Sequence, residues 1–344
     1  MSGQGGQYKA HKQTGLLLNA NENSNRPDAA VIEEFIERMK AADLNRYPDD
    51  SACELIETYA RLYNLDPEGI LAGNGSDATL QVMINTFCRD GKKLVTLDPD
   101  FGMYDFYTMA MQSEMYRFPT SWDGSFDLEE LTDFIREKNA GLVLFSNPNN
   151  PTGHEVSRKE LLELAEAIKP AILAVDEAYM DFSSQSLLDE VQNLDNVIVT
   201  RTLSKAWGLA GIRCGFLVAS RALKEKLDGW HVVYSVSTLD QQAALSGLKH
   251  PEHKDRYVRL VQQEAVRIEN ELDRIDGLQA GPFHANFYSV TAGSPEKNHR
   301  IEQAFARENI QVRTWSDSSR IRITIGLPEE NERILQILRQ SANQ

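Results

Sequence analysis

Short apolar runs alternate with amphipathic helical patterns between residues 65 and 220, and this alternation limits the possible folds more than any other feature. Segments with apolar residues at helical spacing separate the apolar runs. The runs of strand length are Lys93–Leu97, Gly141–Phe145, Ala171–Val175 and Asn196–Val199. Such alternation is typical of βαβ units, whose strands lie parallel in one sheet. The sequence therefore predicts an α/β fold, with a large domain whose mainly parallel central sheet is flanked by helices.

The pattern changes after Ser220, and the change predicts a second, smaller domain. A long amphipathic segment from about His253 to Asp276 is followed by short strand-like runs and two helical segments. We expect an N-terminal arm and small-domain segment over residues 1–30, in which the only aromatic residue is Tyr8. The large cofactor-binding domain is expected over residues 31–235, and a small α+β domain over residues 236–344.

Composition excludes several classes of partner. The chain has 344 residues, of which 41% are hydrophobic and 25% charged, as in ordinary globular proteins. The formal net charge of −15 argues against nucleic acid and membrane surfaces, because both attract clustered Lys and Arg. No apolar run approaches the roughly 20 residues of a membrane span, and we expect no signal peptide. The three separated cysteines predict reduced thiols in the cytoplasm, and neither they nor the seven histidines have metal-ligand spacing.

The segment Thr200–Phe216 combines hydroxyl, amine and guanidinium side chains with small and apolar residues. Its hydroxyls and Arg213 are suited to a phosphate, and partial desolvation of Lys205 would lower the pKa of its amine. A neutral lysine amine can condense with an aldehyde. The segment therefore fits pyridoxal phosphate, which has both groups, although a loop with a solvated lysine is the commoner explanation of such a segment by itself.

Polar residues also follow two other predicted strands. Ser146–Gly153 contains two prolines and three asparagines, which predicts a rigid loop where open α/β sheets bind ligands. Asp176 follows the next strand, and its carboxylate is costly to bury unless a cation or a donor meets it; a helix cap or a surface ion pair is the alternative. The turn Gly73–Asp77 leads into a helix whose first N–H groups can face an anion. Ser51–Glu54 and Ser157–Glu160 both match the capping box of a helix start.

In combination, Ser146–Gly153, Asp176–Tyr179 and Thr202–Lys205 resemble the class I/II aminotransferases, which are fold-type-I pyridoxal-phosphate enzymes. Further segments are similar to the histidinol-phosphate aminotransferase family: Leu18–Glu22, Arg46–Pro48, Phe101–Tyr104, Leu209–Phe216 and Ile321–Gly326. The resemblance covers nearly the whole chain from Leu16. It implies a homodimer with shared active sites and a role in histidine biosynthesis. The implied substrates are a small-molecule amino donor and a 2-oxo acid acceptor, converted by a ping-pong mechanism.

The resemblance also implies roles for individual residues, of which Lys205, Asp176 and Tyr179 form the catalytic set. Lys205 would bind the aldehyde of pyridoxal 5′-phosphate and shuttle a proton, while Asp176 would pair with the ring nitrogen. Arg322 would bind the donor carboxylate through a bidentate pair. The remaining implied contacts are Asn150 and Tyr179 for the ring hydroxyl; Phe101 for ring stacking; and Ser76, Asp77, Thr202, Ser204, Arg213 and the other subunit's Tyr47 for the phosphate. Asn21 and Arg313 are further expected substrate contacts. Arg313 lies near Arg322 in the sequence and could add positive charge there, although placement on the surface is the commoner explanation.

Three features depart from the pattern of this family. Phe101 stands where a tyrosine is common, alanine follows Asp77 where a glutamate is common, and the N-terminal arm has no Pro-Tyr pair. The alternatives are therefore an aminotransferase for aromatic or other amino acids and a lyase similar to threonine-phosphate decarboxylase. A regulator with an aminotransferase-like domain is disfavoured because this acidic chain offers no DNA-binding module. A nicotinamide oxidoreductase is disfavoured because no Gly-x-Gly-x-x-Gly follows a strand.

Overall fold

The computed structural model describes residues 14–317 and 319–342, so most of the predicted N-terminal arm, including Tyr8, lies outside the described residues. The strands are β1 (Leu16–Leu17), β2 (Ile70–Asn74), β3 (Lys93–Asp98), β4 (Met115–Pro119), β5 (Ala140–Ser146), β6 (Ile172–Asp176), β7 (Val197–Thr202), β8 (Cys214–Ala219), β9 (Gln279–Ala280), β10 (Phe287–Thr291), β11 (Ile310–Gln311), β12 (Arg313–Thr314) and β13 (Ile321–Thr324). The helices are α1 (Ala29–Lys40), α2 (Cys53–Tyr63), α3 (Gly75–Phe87), α4 (Met103–Ala110), α5 (Leu128–Glu137), α6 (Arg158–Ala167), α7 (Arg221–Asp228), α8 (Thr238–Leu248), α9 (Pro251–Leu272), α10 (Pro295–Arg307) and α11 (Pro328–Ala342). None of these helices is long and apolar enough to cross a membrane.

A seven-stranded sheet with the strand order β2-β8-β7-β6-β5-β3-β4 forms the larger part of the structure. Strand β8 runs antiparallel to both of its neighbours, and the other paired strands are parallel. Alternate residues of each strand enter apolar clusters on opposite faces: Leu173 and Val175 face one cluster, and Ile172 and Ala174 face the other. The predicted α/β fold with a mainly parallel sheet is therefore confirmed, with helices burying both of its faces.

The C-terminal residues build a smaller α+β unit. Its antiparallel sheet has the order β12-β13-β10-β9, and β1 pairs in parallel with β11. Helices α9, α10 and α11 cover this unit with an apolar cluster that also contains Leu18. The domain limits stay predictions. Helix α8, which follows the predicted limit at residue 235, packs against α1, α2 and β8 beside the large sheet.

The two predicted capping boxes have different outcomes. The Ser157 hydroxyl accepts a hydrogen bond from the Glu160 backbone N–H, and the Glu160 carboxylate accepts one from the Ser157 N–H, so this box is confirmed. The box at Ser51 is wrong. Helix α2 follows Ala52, which has left-handed backbone angles and makes no side-chain cap. The Asp49 carboxylate accepts from the Cys53 N–H at 2.6 Å and thereby supplies the acceptor that Ser51 was expected to provide.

A buried ion pair joins the ends of β6 and β7 on the face of the sheet that carries α2. Glu177 accepts from the Arg201 guanidinium at 3.2 Å, from the Ser186 hydroxyl at 2.6 Å and from the Leu187 N–H at 2.8 Å. Arg201 also donates to Asp181 at 3.4 Å. Because Glu177 follows Asp176 directly, this pair anchors the end of β6 from the side opposite to the Asp176 carboxylate.

We predict that Arg201→Met destabilises the fold by about 3 kcal/mol, because it leaves the Glu177 charge buried without its cation. The shift in the midpoint of chemical denaturation would measure this loss. Arg136→Met is the matched control, since Arg136 pairs with Asp133 at 3.4 Å while both side chains are largely exposed. Equal shifts for the two variants would contradict the prediction.

Candidate active site

A cavity of about 790 Å³ opens where the carboxyl ends of β3, β5, β6 and β7 meet. Parallel strands bring the residues that follow them to one edge of the sheet, which explains why separate segments converge here. The predicted site residues that line the cavity are Ser76, Asp77, Phe101, Asn150, Asp176, Tyr179, Thr202, Ser204, Lys205, Arg213, Arg313 and Arg322. The structure therefore assembles most of the predicted site in one place.

Lys205 lies in the turn after β7 with its amine inside this cavity. Its Nζ donates a hydrogen bond to the Ala20 carbonyl oxygen at 2.8 Å and lies 5.8 Å from the centre of the Tyr179 ring. Burial lowers the pKa of the Lys205 amine to about 8, and the positive charge of Arg322 contributes to the shift. This is the direction predicted from the sequence, and it leaves about a tenth of the amine neutral at pH 7.

Asp176 ends β6, and its carboxylate is buried. Three donors meet it: the Tyr104 hydroxyl at 2.9 Å, the Thr200 hydroxyl at 3.1 Å and the Ala178 N–H at 3.2 Å. Burial raises the pKa of Asp176, and these hydrogen bonds oppose the rise. The sequence did not indicate Tyr104 and Thr200 as partners, because an aromatic residue in a helix resembles a core residue and strand register alone brings Thr200 opposite Asp176.

Hydrogen-bond donors and a cation gather around the start of α3. The first N–H groups of a helix have no acceptor within it, so those near Ser76 and Asp77 are available to an anion. Arg213 approaches from the start of β8 and pairs with Asp77 at 3.1 Å. Two glycines permit this approach: a Cβ on Gly75 would lie 2.6 Å from the Arg213 guanidinium, and one on Gly215 would lie 2.6 Å from the Ser76 nitrogen.

The turn before Lys205 adds two hydroxyl groups to this region. The Thr202 hydroxyl donates to the Ser204 hydroxyl oxygen at 2.9 Å, and the Ser204 N–H donates back to the Thr202 oxygen at 3.1 Å. Both side chains line the cavity with Arg213. The arrangement therefore presents hydroxyls, backbone amides and a guanidinium to one volume, which suits a phosphate group.

Tyr179 and Phe101 contribute aromatic walls to the cavity. The Tyr179 hydroxyl oxygen accepts from the side-chain amides of Asn21 at 3.0 Å and Asn150 at 3.2 Å. Burial raises the pKa of Tyr179, so its phenol is neutral at neutral pH. Asn21 thus lies behind Tyr179 and contacts the site through it; the predicted substrate role of Asn21 stays a prediction.

Arg322 extends from β13 of the small unit into the cavity, although its side chain is buried. Its guanidinium donates to the Asn19 carbonyl oxygen at 2.6 Å and to the side-chain oxygen of Asn150. Arg313 lies directly opposite Arg322 in the antiparallel β12–β13 pair and also lines the cavity. Like charges placed opposite each other on one face destabilise a sheet. The paired arginines therefore favour an anionic ligand that lies between or beside them.

Tyr47, like Asn21, is a predicted site residue that does not line this cavity. Its side chain is 82% exposed and stacks on Tyr234 with ring centres 4.8 Å apart. The prediction that it contacts the phosphate of another subunit stays a prediction.

Apolar side chains at the cavity were not predicted; they are Met103, Phe106, Met109 and Trp315. The helical spacing of Met103, Phe106 and Met109 on α4 indicates a core, and only the fold shows that Phe106 and Met109 are exposed. Within the described residues, no cluster of His, Cys, Asp or Glu could hold a metal ion.

Comparisons with known proteins agree with this geometry. The profile of the family "Aminotransferase class I and II" matches residues 13–338. A histidinol-phosphate aminotransferase from Clostridium novyi is 31% identical over 327 residues, which are 94% of this chain and 91% of the relative.

Two solved structures share the fold. Histidinol-phosphate aminotransferase from Sinorhizobium meliloti, solved in complex with pyridoxal-5′-phosphate, has a TM-score of 0.86 and 24% identity, covering 95% of this chain and 91% of that one. L-threonine-O-3-phosphate decarboxylase from Porphyromonas gingivalis has a TM-score of 0.82 and 22% identity, covering 96% of this chain and all of that one (100%). Such identities show the fold alone. The family match over nearly the whole chain shows more: the protein belongs to the class I and II aminotransferases, which are pyridoxal-phosphate-dependent enzymes.

Proposed function

We propose that this aminotransferase transfers the amino group of histidinol phosphate to 2-oxoglutarate by a ping-pong mechanism. The single observation that carries the proposal is the Arg313–Arg322 pair facing the cavity that also holds Lys205. In a ping-pong transaminase both substrates use one pocket, so the same cations must accept a phosphate in one half-reaction and carboxylates in the other. Planar guanidinium groups suit both anions. The curated relatives described above support this choice of donor.

The residues present fit pyridoxal phosphate on structural grounds. The cavity offers a phosphate cradle at the start of α3, a buried carboxylate at Asp176 and a partly neutral amine at Lys205. We assign the phosphate to the amides of Ser76 and Asp77, with the guanidinium of Arg213. The hydroxyls of Thr202 and Ser204 complete this set, and Phe101 forms the wall for ring stacking.

When bound, the cofactor supplies an aldehyde that condenses with amines and a ring that accepts electron density from the substrate Cα. Asp176 would hold the ring nitrogen in its protonated form, because a buried carboxylate stabilises a neighbouring cation. Tyr179 and Asn150 would bind the ring oxygen. Lys205, with its lowered pKa, would accept the proton from the substrate Cα and could donate it again.

An aromatic amino-acid aminotransferase is the second candidate, and one observation favours it. Met103, Phe106, Met109 and Trp315 give the cavity an apolar wall that an aromatic side chain could contact. Arg313 lies 5.7 Å from the Trp315 ring centre, so its cation is partly engaged by that ring. A threonine-phosphate decarboxylase activity is the third candidate; it would release carbon dioxide in place of an oxo acid.

We further propose that the protein acts as a cytoplasmic homodimer in histidine biosynthesis. Exposed apolar side chains occur on adjoining segments: Ile32 and Ile36 of α1, Leu44, Tyr47, Val232, Val233, Tyr234 and Leu239. An apolar surface of this kind supports a protein–protein contact. In the dimer, Tyr47 of one subunit would reach the phosphate cradle of the other. The three free cysteines support a reducing compartment.

A panel of half-reactions tests the donor. The cofactor-loaded protein is mixed with histidinol phosphate, glutamate, phenylalanine, tyrosine or threonine phosphate, and the cofactor absorbance and carbon dioxide release are followed. We expect histidinol phosphate to react fastest. Arg322→Ala should slow the half-reactions of both histidinol phosphate and glutamate. The half-reaction of histidinol phosphate should lose at least about 2 kcal/mol of transition-state stabilisation. Arg307→Ala, an exposed arginine of α10, is the control. The aromatic alternative would be favoured if phenylalanine or tyrosine reacted faster than histidinol phosphate and if Arg322→Ala left the rate with histidinol phosphate unchanged.

Capture of the cofactor by Lys205 should depend on pH. Below pH 8 the ammonium form predominates and cannot attack the aldehyde, so the capture rate should rise with pH and level off above about 8. Rapid mixing of the cofactor-free protein with pyridoxal phosphate, borohydride reduction and peptide mass spectrometry would measure this rate. Lys205→Ala should abolish the adduct, whereas Lys159→Ala, at an exposed lysine of α6, should leave it unchanged. An adduct that persists in Lys205→Ala would show that another lysine binds the cofactor.

Subunit mixing tests the shared site. Lys205→Ala and Tyr47→Ala are each expected to be inactive, but hybrid dimers would contain one site with both residues intact. A random equal mixture should recover up to about a quarter of the wild-type activity, because half of the dimers are hybrids with one of two sites restored. Each variant incubated alone provides the control. Sedimentation of the active protein as a monomer at assay concentration would exclude this arrangement.

A further inference from the structure

A second buried carboxyl lines the same cavity, and the roles assigned above do not use it. Asp100 follows β3 by two residues and is only 9% exposed. Strand β5 lies between β3 and β6, so Asp100 and Asp176 reach the cavity from the two sides of β5. A carboxyl in this position needs partners that compensate for its desolvation.

Two residues supply those partners. The Asp100 Oδ1 atom accepts from the Phe101 N–H at 2.7 Å and from the Ser146 hydroxyl at 2.5 Å. The Ser146 N–H lies 3.1 Å from Oδ2 and 3.4 Å from Oδ1. Each of these groups donates to a carboxyl oxygen, so the contacts compensate for part of the desolvation of Asp100.

Ser146 connects Asp100 to Asn150 by hydrogen bonds. Its hydroxyl oxygen accepts from the Asn150 N–H at 2.9 Å. The Asn150 side chain then contacts two groups at once, since its amide N–H donates to Tyr179 and its oxygen accepts from the Arg322 guanidinium. A continuous series of hydrogen bonds therefore leads from Asp100 through Ser146 and Asn150. It ends at Tyr179, which is assigned to the cofactor, and at Arg322, which is assigned to the substrate.

The charge of Asp100 carries a cost that a neutral residue would avoid. Burial raises the pKa of Asp100 to about 8, and the nearby Asp176 adds to the rise. At neutral pH this value favours the protonated carboxyl, which still offers acceptor oxygens to its neighbours. What the carboxyl adds is the short 2.5 Å contact with the Ser146 hydroxyl, and hence a narrowly defined position for the group that this hydroxyl holds.

We propose that Asp100 is a positioning residue which, through Ser146, holds Asn150 where it can bind Tyr179 and Arg322 together. The inference rests on the proposed function, because that function places the cofactor ring beside Asn150 and the donor carboxylate beside Arg322. Asp100 also holds the backbone of Phe101, whose ring forms the wall of the cavity.

A double-mutant cycle with Asp100→Ala and Ser146→Ala tests the series of hydrogen bonds. Each single variant should weaken pyridoxal phosphate binding and raise the KM for glutamate by about tenfold, the size expected for the loss of one hydrogen bond, with a smaller change in kcat. The double variant should be no worse than either single variant, because both substitutions break the same series. Cofactor affinity is read by quenching of tryptophan fluorescence in the cofactor-free protein, independently of activity.

Asp100→Asn separates positioning from a general loss of packing. Its amide oxygen can replace Oδ1 and still accept from Phe101 and Ser146, so cofactor affinity and KM should return to within about threefold of the wild type. Asp98→Ala is the matched control: Asp98 ends β3 with its side chain 58% exposed, and it should leave both quantities unchanged. Thermal unfolding of the cofactor-free variants identifies any loss that is purely structural.

Several outcomes would overturn the proposal. They are a cofactor affinity and a KM within twofold of the wild type in Asp100→Ala, additive effects in the double variant, and a Ser146→Ala protein that resembles the wild type. If Asp100→Ala does not fold, the cofactor affinity and the KM for glutamate of Ser146→Ala and Asp100→Asn test the proposal. Failure of the wild type to convert any donor of the panel would refute the proposed function instead, while the cofactor titrations of the variants would still test the role of Asp100.

Discussion

Burial of the Lys205 amine is the interaction on which the rest of the site depends. An ammonium removed from water loses hydration, so its pKa falls toward the range in which the amine is a nucleophile. Two elements distant in sequence surround the amine: Arg322 of β13 adds positive charge that lowers the pKa further, and Ala20 of the N-terminal segment accepts the Nζ hydrogen bond and holds the amine in place. The reactive lysine therefore requires the small unit as well as the large sheet.

The same edge of the sheet also holds a buried carboxylate. Burial raises the pKa of Asp176, but the three hydrogen-bond donors that surround it oppose this rise. At Lys205 the nearby Arg322 guanidinium adds to the lowering of the pKa. The two groups therefore differ in how far their neighbours support the charged form.

Anion recognition is divided between the two parts of the fold. The large sheet supplies the phosphate cradle through α3 and Arg213, and glycines at positions 75 and 215 allow its members to approach one another. The small antiparallel sheet supplies Arg313 and Arg322 on one face. Asn150 connects the two parts, because it contacts Tyr179 of the large sheet and Arg322 of the small one. With the roles proposed for Tyr179 and Arg322, this side chain would couple substrate binding to cofactor binding.

The sequence by itself determined the α/β class and the strand ends that carry Asp176, Asn150 and Lys205, because apolar periodicity and polar residues after strands are local properties of the chain. It also indicated the glycine turn before α3. Only the tertiary structure decided which distant groups meet these residues: Tyr104 and Thr200 at Asp176, Ala20 at Lys205, and Asp100 at Ser146. Such pairs depend on strand order and register, which the local pattern does not encode. For the same reason, local spacing suggested a cap at Ser51, whereas the fold placed the Asp49 carboxylate on that helix start.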